Sequence, residues 1–193
     1  MPEMTKLEKR FVNRRSSRAY VKMLDRMERA GALSLTSTSQ VLELGAGNGA
    51  LSALVLERWH PARVVVTDYD PDQVRVARAN LTSLLGSIPS SLVLEQGDAT
   101  HLGYADGTFD LVLAHHVLHH LGPVGAIQRG LHEIARTLRP GGRLLYVEMF
   151  HKRPIREHLS ALGFSIAFRA RALRIFTTAD IVVAIRPSGP VPK

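Results

Sequence analysis

Three glycines at alternate positions, Gly45, Gly47 and Gly49, are the residues whose spacing first suggests chemistry. They follow the apolar run Val41-Leu42-Glu43-Leu44 and precede a helical pattern with Leu51, Leu54 and Val55 on one face. Strand, glycine turn and helix together bring bare backbone N–H groups and a helix N-terminus against a nucleotide-like ligand. A Cβ in the turn would restrict φ and hold that ligand off the backbone. Gly45-x-Gly47-x-x-Ala50 also satisfies the dinucleotide fingerprint, and Asp68 stands where NAD enzymes place a ribose-binding acid. The glycines alone therefore do not choose the ligand. A second group is made of histidines: His115, His116, His119 and His120. On a helix, 115/119 and 116/120 are i, i+4 pairs of the kind that chelate metals, but no nearby carboxylate or cysteine completes a site. No metal is expected.

These residues need a scaffold, and the chain alternates strands with helices. Val41–Leu44, Arg63–Asp68, Leu92–Glu95, Phe109–Ala114 and Arg143–Met149 read as strands, with Phe164–Ala170 and Thr178–Ile185 as a closing hairpin. Asp70-Pro71-Asp72 supplies a cap and a proline for a helix that turns Val74, Ala77, Leu81 and Leu84 inward. Val124 to Leu138 and Pro154 to Leu162 read as helices, and Arg139-Pro140-Gly141-Gly142 as a tight turn between helix and strand. Such alternation implies an α/β fold with a mainly parallel sheet covered on both faces. Ligands then sit beyond the strand C-termini, and Glu43, Gly45, Asp68, Asp98, His115 and Glu148 all fall at or near those ends.

Ahead of this domain, Lys6 to Ala30 reads as a basic helix with Val12, Ala19, Met23, Met27 and Ala30 as its apolar stripe and Tyr20 beside it. Arg10, Arg14, Arg18, Lys22 and Arg26 recur every four residues, a spacing that opposes an isolated helix unless packing or an anionic partner offsets it. Its role is either a cap with solvated arginines or a lid over the active site. The expected organisation is a basic N-terminal cap over residues 1–37, the main domain over 38–186, and a proline-rich flexible tail over 187–193.

Of the 193 residues, none is cysteine, which excludes disulfides, thiolate ligands and a cysteine nucleophile. No apolar run reaches the ~18 residues of a membrane-spanning helix, and the N-terminus lacks the apolar stretch of a secretory signal. A cytoplasmic location is expected. The net charge of +8 is uneven: residues 1–31 carry nine Lys/Arg against four Asp/Glu, residues 151–193 eight against two, and the middle eight against eleven. The basic ends suggest contact with an anionic partner, a membrane surface or nucleic acid, or else solvated surface.

Taken in order, Val41-Leu-Glu-Leu-Gly-Ala-Gly-Asn-Gly49, Asp68, Gly97-Asp98-Ala99, Phe109-Asp110-Leu-Val and Leu138-Arg-Pro-Gly-Gly-Arg-Leu resemble the class I S-adenosylmethionine-dependent methyltransferases over roughly residues 38–150. Within that class the chain is similar to small-molecule enzymes of the quinone and phospholipid type. The resemblance implies a Rossmann-like three-layer sandwich whose seven-stranded, mainly parallel sheet ends in an antiparallel hairpin. It implies S-adenosylmethionine as cofactor, approached by Gly45, Ala46, Gly47 and Gly49. Glu43 would engage the ammonium group, unless it serves backbone N–H groups instead. Asp68 would accept from both ribose hydroxyls, a pairing for which its carboxylate is suited, while Asp70 is better placed to cap the helix. Tyr69 would lie against the adenine or merely cover the strand end. Asp98 would take the adenine amino group, Ala99 N–H would meet the ring, and His115 would lie beside the sulfonium. Asp110 reads as structural, and Glu148 as pocket wall or surface.

The acceptor implied is a small or lipid-like molecule. A neutral imidazole near it, His115 or His116, is the candidate general base. An RNA or other nucleic-acid methyltransferase is the alternative. Against it, the chain has no cysteine for attack on a pyrimidine, and Ala114-His-His-Val117 replaces the Asn/Asp-Pro-Pro-aromatic loop of adenine-amine enzymes. An NAD(P)-binding oxidoreductase and a non-catalytic cofactor-binding module are the remaining readings.

Overall fold

The computed structural model describes residues 19–173 and 178–190. The N-terminal basic helix therefore falls partly outside the described residues, and Arg10, Arg14 and Arg18 with it; residues 19–29 are helical and form α1. Then follow β1 (Gln40–Leu44), α2 (Ala50–Trp59), β2 (Arg63–Asp68), α3 (Pro71–Leu85), β3 (Leu92–Gln96), β4 (Phe109–His115), a 3-10 turn (Leu118–Leu121), α4 (Val124–Thr137), β5 (Leu138–Glu148), α5 (Lys152–Ala161), β6 (Ser165–Leu173) and β7 (Thr178–Ile185).

The seven strands run in the order β3-β2-β1-β4-β5-β7-β6. The first five pair in parallel, and β7 inserts antiparallel between β5 and β6. This is the mainly parallel α/β sheet with a closing hairpin that the alternation of elements predicts. The central strands are continuous apolar runs because helices cover both faces. Val41, Val64 and Leu111 face α1, α2 and α3 through Leu24, Met27, Val55, Ala77 and Leu81. Their neighbours Leu42, Val65 and Val112 face α4 and α5 through Ile127, Leu131, Ile134, Ile155 and Leu159. Strand order reverses between β1 and β4, so a crevice opens above their C-terminal ends.

The elements differ from the sequence reading most at three places. Leu84 is exposed, because it lies in the last turn of α3, past the buried stripe of Val74, Ala77 and Leu81. The tight turn at residues 139–142 is absorbed into β5 as a bulge: Phe109 pairs with Leu138, yet Leu111 pairs with Arg143. Gly141 at φ +73° makes that bend, and Arg186, just after β7, secures it by donating its N–H to the Gly142 carbonyl at 2.9 Å. Finally, the histidine run is not one helix, since His115 ends β4 and the 3-10 turn starts only at Leu118.

Candidate active site

The loop between β1 and α2 turns on positive-φ glycines: Gly45 at +74°, Gly47 at +48° and Gly49 at +72°. Each does so for a different reason. A Cβ on Gly45 would stand 2.3 Å from Val117 Cγ2, so the turn packs directly against the segment after β4. A Cβ on Gly49 would meet Leu81 at 2.6 Å, a helix-packing constraint, and Gly49 borders neither of the clefts described below. A Cβ on Gly47 would meet only the Gly45 carbonyl, at 3.9 Å, so packing leaves the space above Gly47 open.

Asp68 ends β2 and holds this loop in place. One carboxylate oxygen accepts from Ala46 N–H at 3.0 Å and the other from Asp70 N–H at 3.0 Å. Each oxygen keeps further acceptor capacity, so two adjacent hydroxyls could still be bound side by side. Asp70 caps α3 by accepting from Asp72 N–H at 2.8 Å. Asp98, after β3, commits one oxygen to the Thr100 N–H at 2.7 Å and the Thr100 hydroxyl at 2.8 Å. Its second oxygen is the one left to take a donor. Tyr69 projects beside the crevice with 74% of its surface exposed.

Gly45, Gly47, Asp68, Tyr69, Asp98, Ala99, His115 and His116 line one cleft of about 530 Å³. A second cleft of about 290 Å³ is bordered by Glu43, Ala46 and Tyr20, and shares Gly45, Gly47 and His115 with the first. The two meet over the open backbone at Gly47. Glu43 is buried, with only 4% of its surface exposed, and accepts from the Ser52 hydroxyl. Burial pushes its carboxyl up to about 7, and the Ser52 hydrogen bonds only partly offset this.

His115 ends β4 between the two clefts, its Nδ1 3.4 Å from the Tyr20 hydroxyl of α1. The two rings meet edge to face, with centroids 5.1 Å apart. His116 follows at φ +57°, its N–H donating to the Val147 carbonyl at 2.9 Å and both ring nitrogens buried. The pattern of i, i+4 histidine pairs does not arise, because residues 115 and 116 are not helical. Among the described residues no group of three or more His, Cys, Asp or Glu is arranged to hold a metal.

Glu148 is neither pocket wall nor surface. It is fully buried, accepts from Leu118 N–H at 2.7 Å, and sits 2.6 Å from His119 Nδ1. Distance along the sequence hides this pair, since its members are 29 residues apart. Asp110 ties β4 to its neighbours by accepting from Gln40 N–H at 2.7 Å and Arg139 Nε at 2.8 Å. Residues to which the sequence assigned no cofactor contact also line the larger cleft: Thr100, Val117, His120 and Leu121. Two had a legible signal: His120 stands in the histidine run, and Thr100 places a hydroxyl two residues after an aspartate, which invites an Asx turn.

Comparison with known proteins shows the family and the fold. The profile of the methyltransferase domain family matches residues 42–146. The 27-O-demethylrifamycin SV methyltransferase of Amycolatopsis mediterranei is 35% identical over 127 residues, which is 65% of this chain and 43% of that protein. The demethylmenaquinone methyltransferase of Lactiplantibacillus plantarum is 33% identical over 124 residues, 64% of this chain and 50% of that protein. The chain thus spans about half the length of these curated relatives. In fold it is similar to the N-methyltransferase NodS of Bradyrhizobium japonicum, with a TM-score of 0.71 at 16% identity, over 90% of this chain and 96% of that one.

Proposed function

This chain belongs to the methyltransferase domain family, and from that premise we propose that it transfers a methyl group from S-adenosylmethionine to a small or lipid-like acceptor. When bound, S-adenosylmethionine supplies a methyl group already activated on a sulfonium. The observation that carries the reading is the pair of part-committed acids, Asp68 and Asp98, on one side of an open glycine backbone, with the buried Glu43 on the other. Asp68 binds the ribose diol through its remaining lone pairs. Asp98 accepts from the adenine amino group beside Ala99 N–H, and exposed Tyr69 covers the base. Gly45, Ala46 and Gly47 give backbone to the amino-acid end, and Glu43 binds its ammonium group. Gly49 serves by letting α2 seat on Leu81, which fixes the angle of the loop.

The chain's remaining work is alignment and exclusion of water. His115, which borders both clefts, takes the acceptor proton where there is one to take. His116 is the weaker candidate, because both its ring nitrogens are buried. Glu148 fixes Leu118 and His119 and so sets the course of the segment carrying His115 to Leu121. The relatives are named for demethylmenaquinone and 27-O-demethylrifamycin SV, which supports a small acceptor rather than a macromolecule.

The basic ends give this cytoplasmic enzyme a contact with anionic membrane surface. In support, Arg156 at 2.7 Å, Arg169 at 3.1 Å and Arg171 at 3.8 Å share the single buried carboxylate of Asp180, which leaves excess positive charge on the α5–β6 face. No helix among the described residues is long and apolar enough to cross a membrane. Incubation with methyl-labelled S-adenosylmethionine and demethylmenaquinol, then with cell extract, tests the acceptor class. Label moving into organic-soluble material is expected; label precipitating with RNA or protein overturns the small-acceptor reading. Flotation with anionic, but not zwitterionic, vesicles at low salt tests the surface contact.

A further inference from the structure

The smaller cleft has a charge character of its own. Among the described residues that line it there is one acid, Glu43, and no lysine or arginine. Its outer wall is Tyr20 of α1, a residue outside the stretch matched by the family profile. The Tyr20 and His115 rings stand at 87° to one another and enclose an aromatic corner. The helix that brings Tyr20 there is docked firmly: Leu24 and Met27 are fully buried, and Arg58 of α2 pairs with Asp25 at 2.7 Å and with Glu28. A carboxylate and an aromatic corner without a fixed cation suit a ligand end that carries positive charge twice.

We infer that Tyr20 is a cofactor-binding residue, whose ring recognises the sulfonium charge and so lets the protein prefer S-adenosylmethionine over S-adenosylhomocysteine. The inference rests on the cofactor reading above. The two compounds share adenosine, ammonium and carboxylate, and differ by the methyl group and the charge on sulfur. Asp68 and Asp98 meet only the shared adenosine and hold both equally, so the difference must come from groups that sense the sulfur: the Glu43 carboxylate, which attracts any nearby cation, and the Tyr20 ring that shares its cleft. An aromatic face attracts a cation more strongly than it attracts a neutral thioether. The Tyr20 hydroxyl is turned to His115 Nδ1, which sets the ring's orientation without being the recognising group.

Calorimetric titration of both compounds into wild type, Tyr20→Phe and Tyr20→Leu tests this, with melting temperatures as a check on folding. Tyr20→Leu is expected to weaken S-adenosylmethionine about fivefold to tenfold and S-adenosylhomocysteine clearly less, while Tyr20→Phe keeps the wild-type ratio. Pentafluorophenylalanine at position 20 retains the ring but inverts its electrostatics, and should narrow the preference as leucine does. Equal weakening of both compounds, or an unaltered ratio in Tyr20→Leu and with the fluorinated ring, overturns the role of Tyr20 and leaves the cofactor reading standing. If wild type binds neither compound, the cofactor reading falls first and Tyr20 with it.

Discussion

Glu43 makes cofactor binding depend on pH in a way that can be worked out in advance. Its carboxyl is buried beside Ser52, and burial raises it from 4.5 to about 7. Binding an ammonium group requires the carboxylate, so the apparent affinity scales with the ionised fraction. That fraction is about one half at pH 7, one tenth at pH 6 and one hundredth at pH 5. Affinity should fall about fivefold from pH 7 to 6 and about fiftyfold from pH 7 to 5. The window stops at 7 because an α-amino group begins to lose its own proton near pH 8.

Stability carries the opposite sign. A carboxyl raised on folding binds its proton more tightly in the folded than in the unfolded state. Its contribution is therefore complete below the unfolded value of 4.5 and is lost as pH rises through about 7. The cofactor-free protein should lose about 3 kcal/mol between pH 4.5 and 8 from this group alone. The neutral isostere Glu43→Gln should flatten both profiles, melting higher than wild type at pH 8 while binding weakly throughout. Calorimetry at pH 5, 6 and 7 in buffers of differing ionisation enthalpy reads affinity and proton release together. An affinity independent of pH over this range, or a pH dependence that survives Glu43→Gln, refutes the reasoning.

Gly45→Ala should destabilise the fold by about 2 kcal/mol, since its Cβ would meet Val117 at 2.3 Å at a φ of +74°. Val117→Ala should restore part of that loss in thermal melts, because it removes the steric share and leaves the backbone strain. Glu148→Ala strands the buried Leu118 N–H and should cost about 2 kcal/mol, measured by urea denaturation, with Glu148→Gln retaining more. His115→Asn should lower turnover more than cofactor affinity in single-turnover assays, and His116→Asn should act mainly on stability.

The sheet was legible because its central strands are short, largely apolar runs, with β1 followed by Gly45, β2 closed by Asp68 and β3 followed by Gly97, and such runs have few other ways to bury both faces. The Asp70 cap was legible for the same local reason: an acid, a proline and a second acid fit one end of a helix. What the sequence hid was long-range. Glu148 meets His119 across 29 residues, and no periodicity announces a buried carboxylate at a strand end. Tyr20 looked like one more aromatic beside an apolar stripe, and only the docking of α1 against α2 brings it to His115. The glycines show the limit most clearly. Three residues of one type, evenly spaced, invited a single explanation, yet one makes room for Val117, one for Leu81, and one for open space.

The central claim is that the crevice over β1 and β4 takes S-adenosylmethionine, gripped at the ribose by Asp68. Titration calorimetry of wild type and Asp68→Ala with S-adenosylmethionine and, separately, with NAD tests it most directly. One equivalent of S-adenosylmethionine should bind wild type, the Asp68→Ala variant should bind it at least about tenfold more weakly, and NAD should bind neither. Tight binding of NAD to wild type, or S-adenosylmethionine affinity that is the same with and without Asp68, would contradict it.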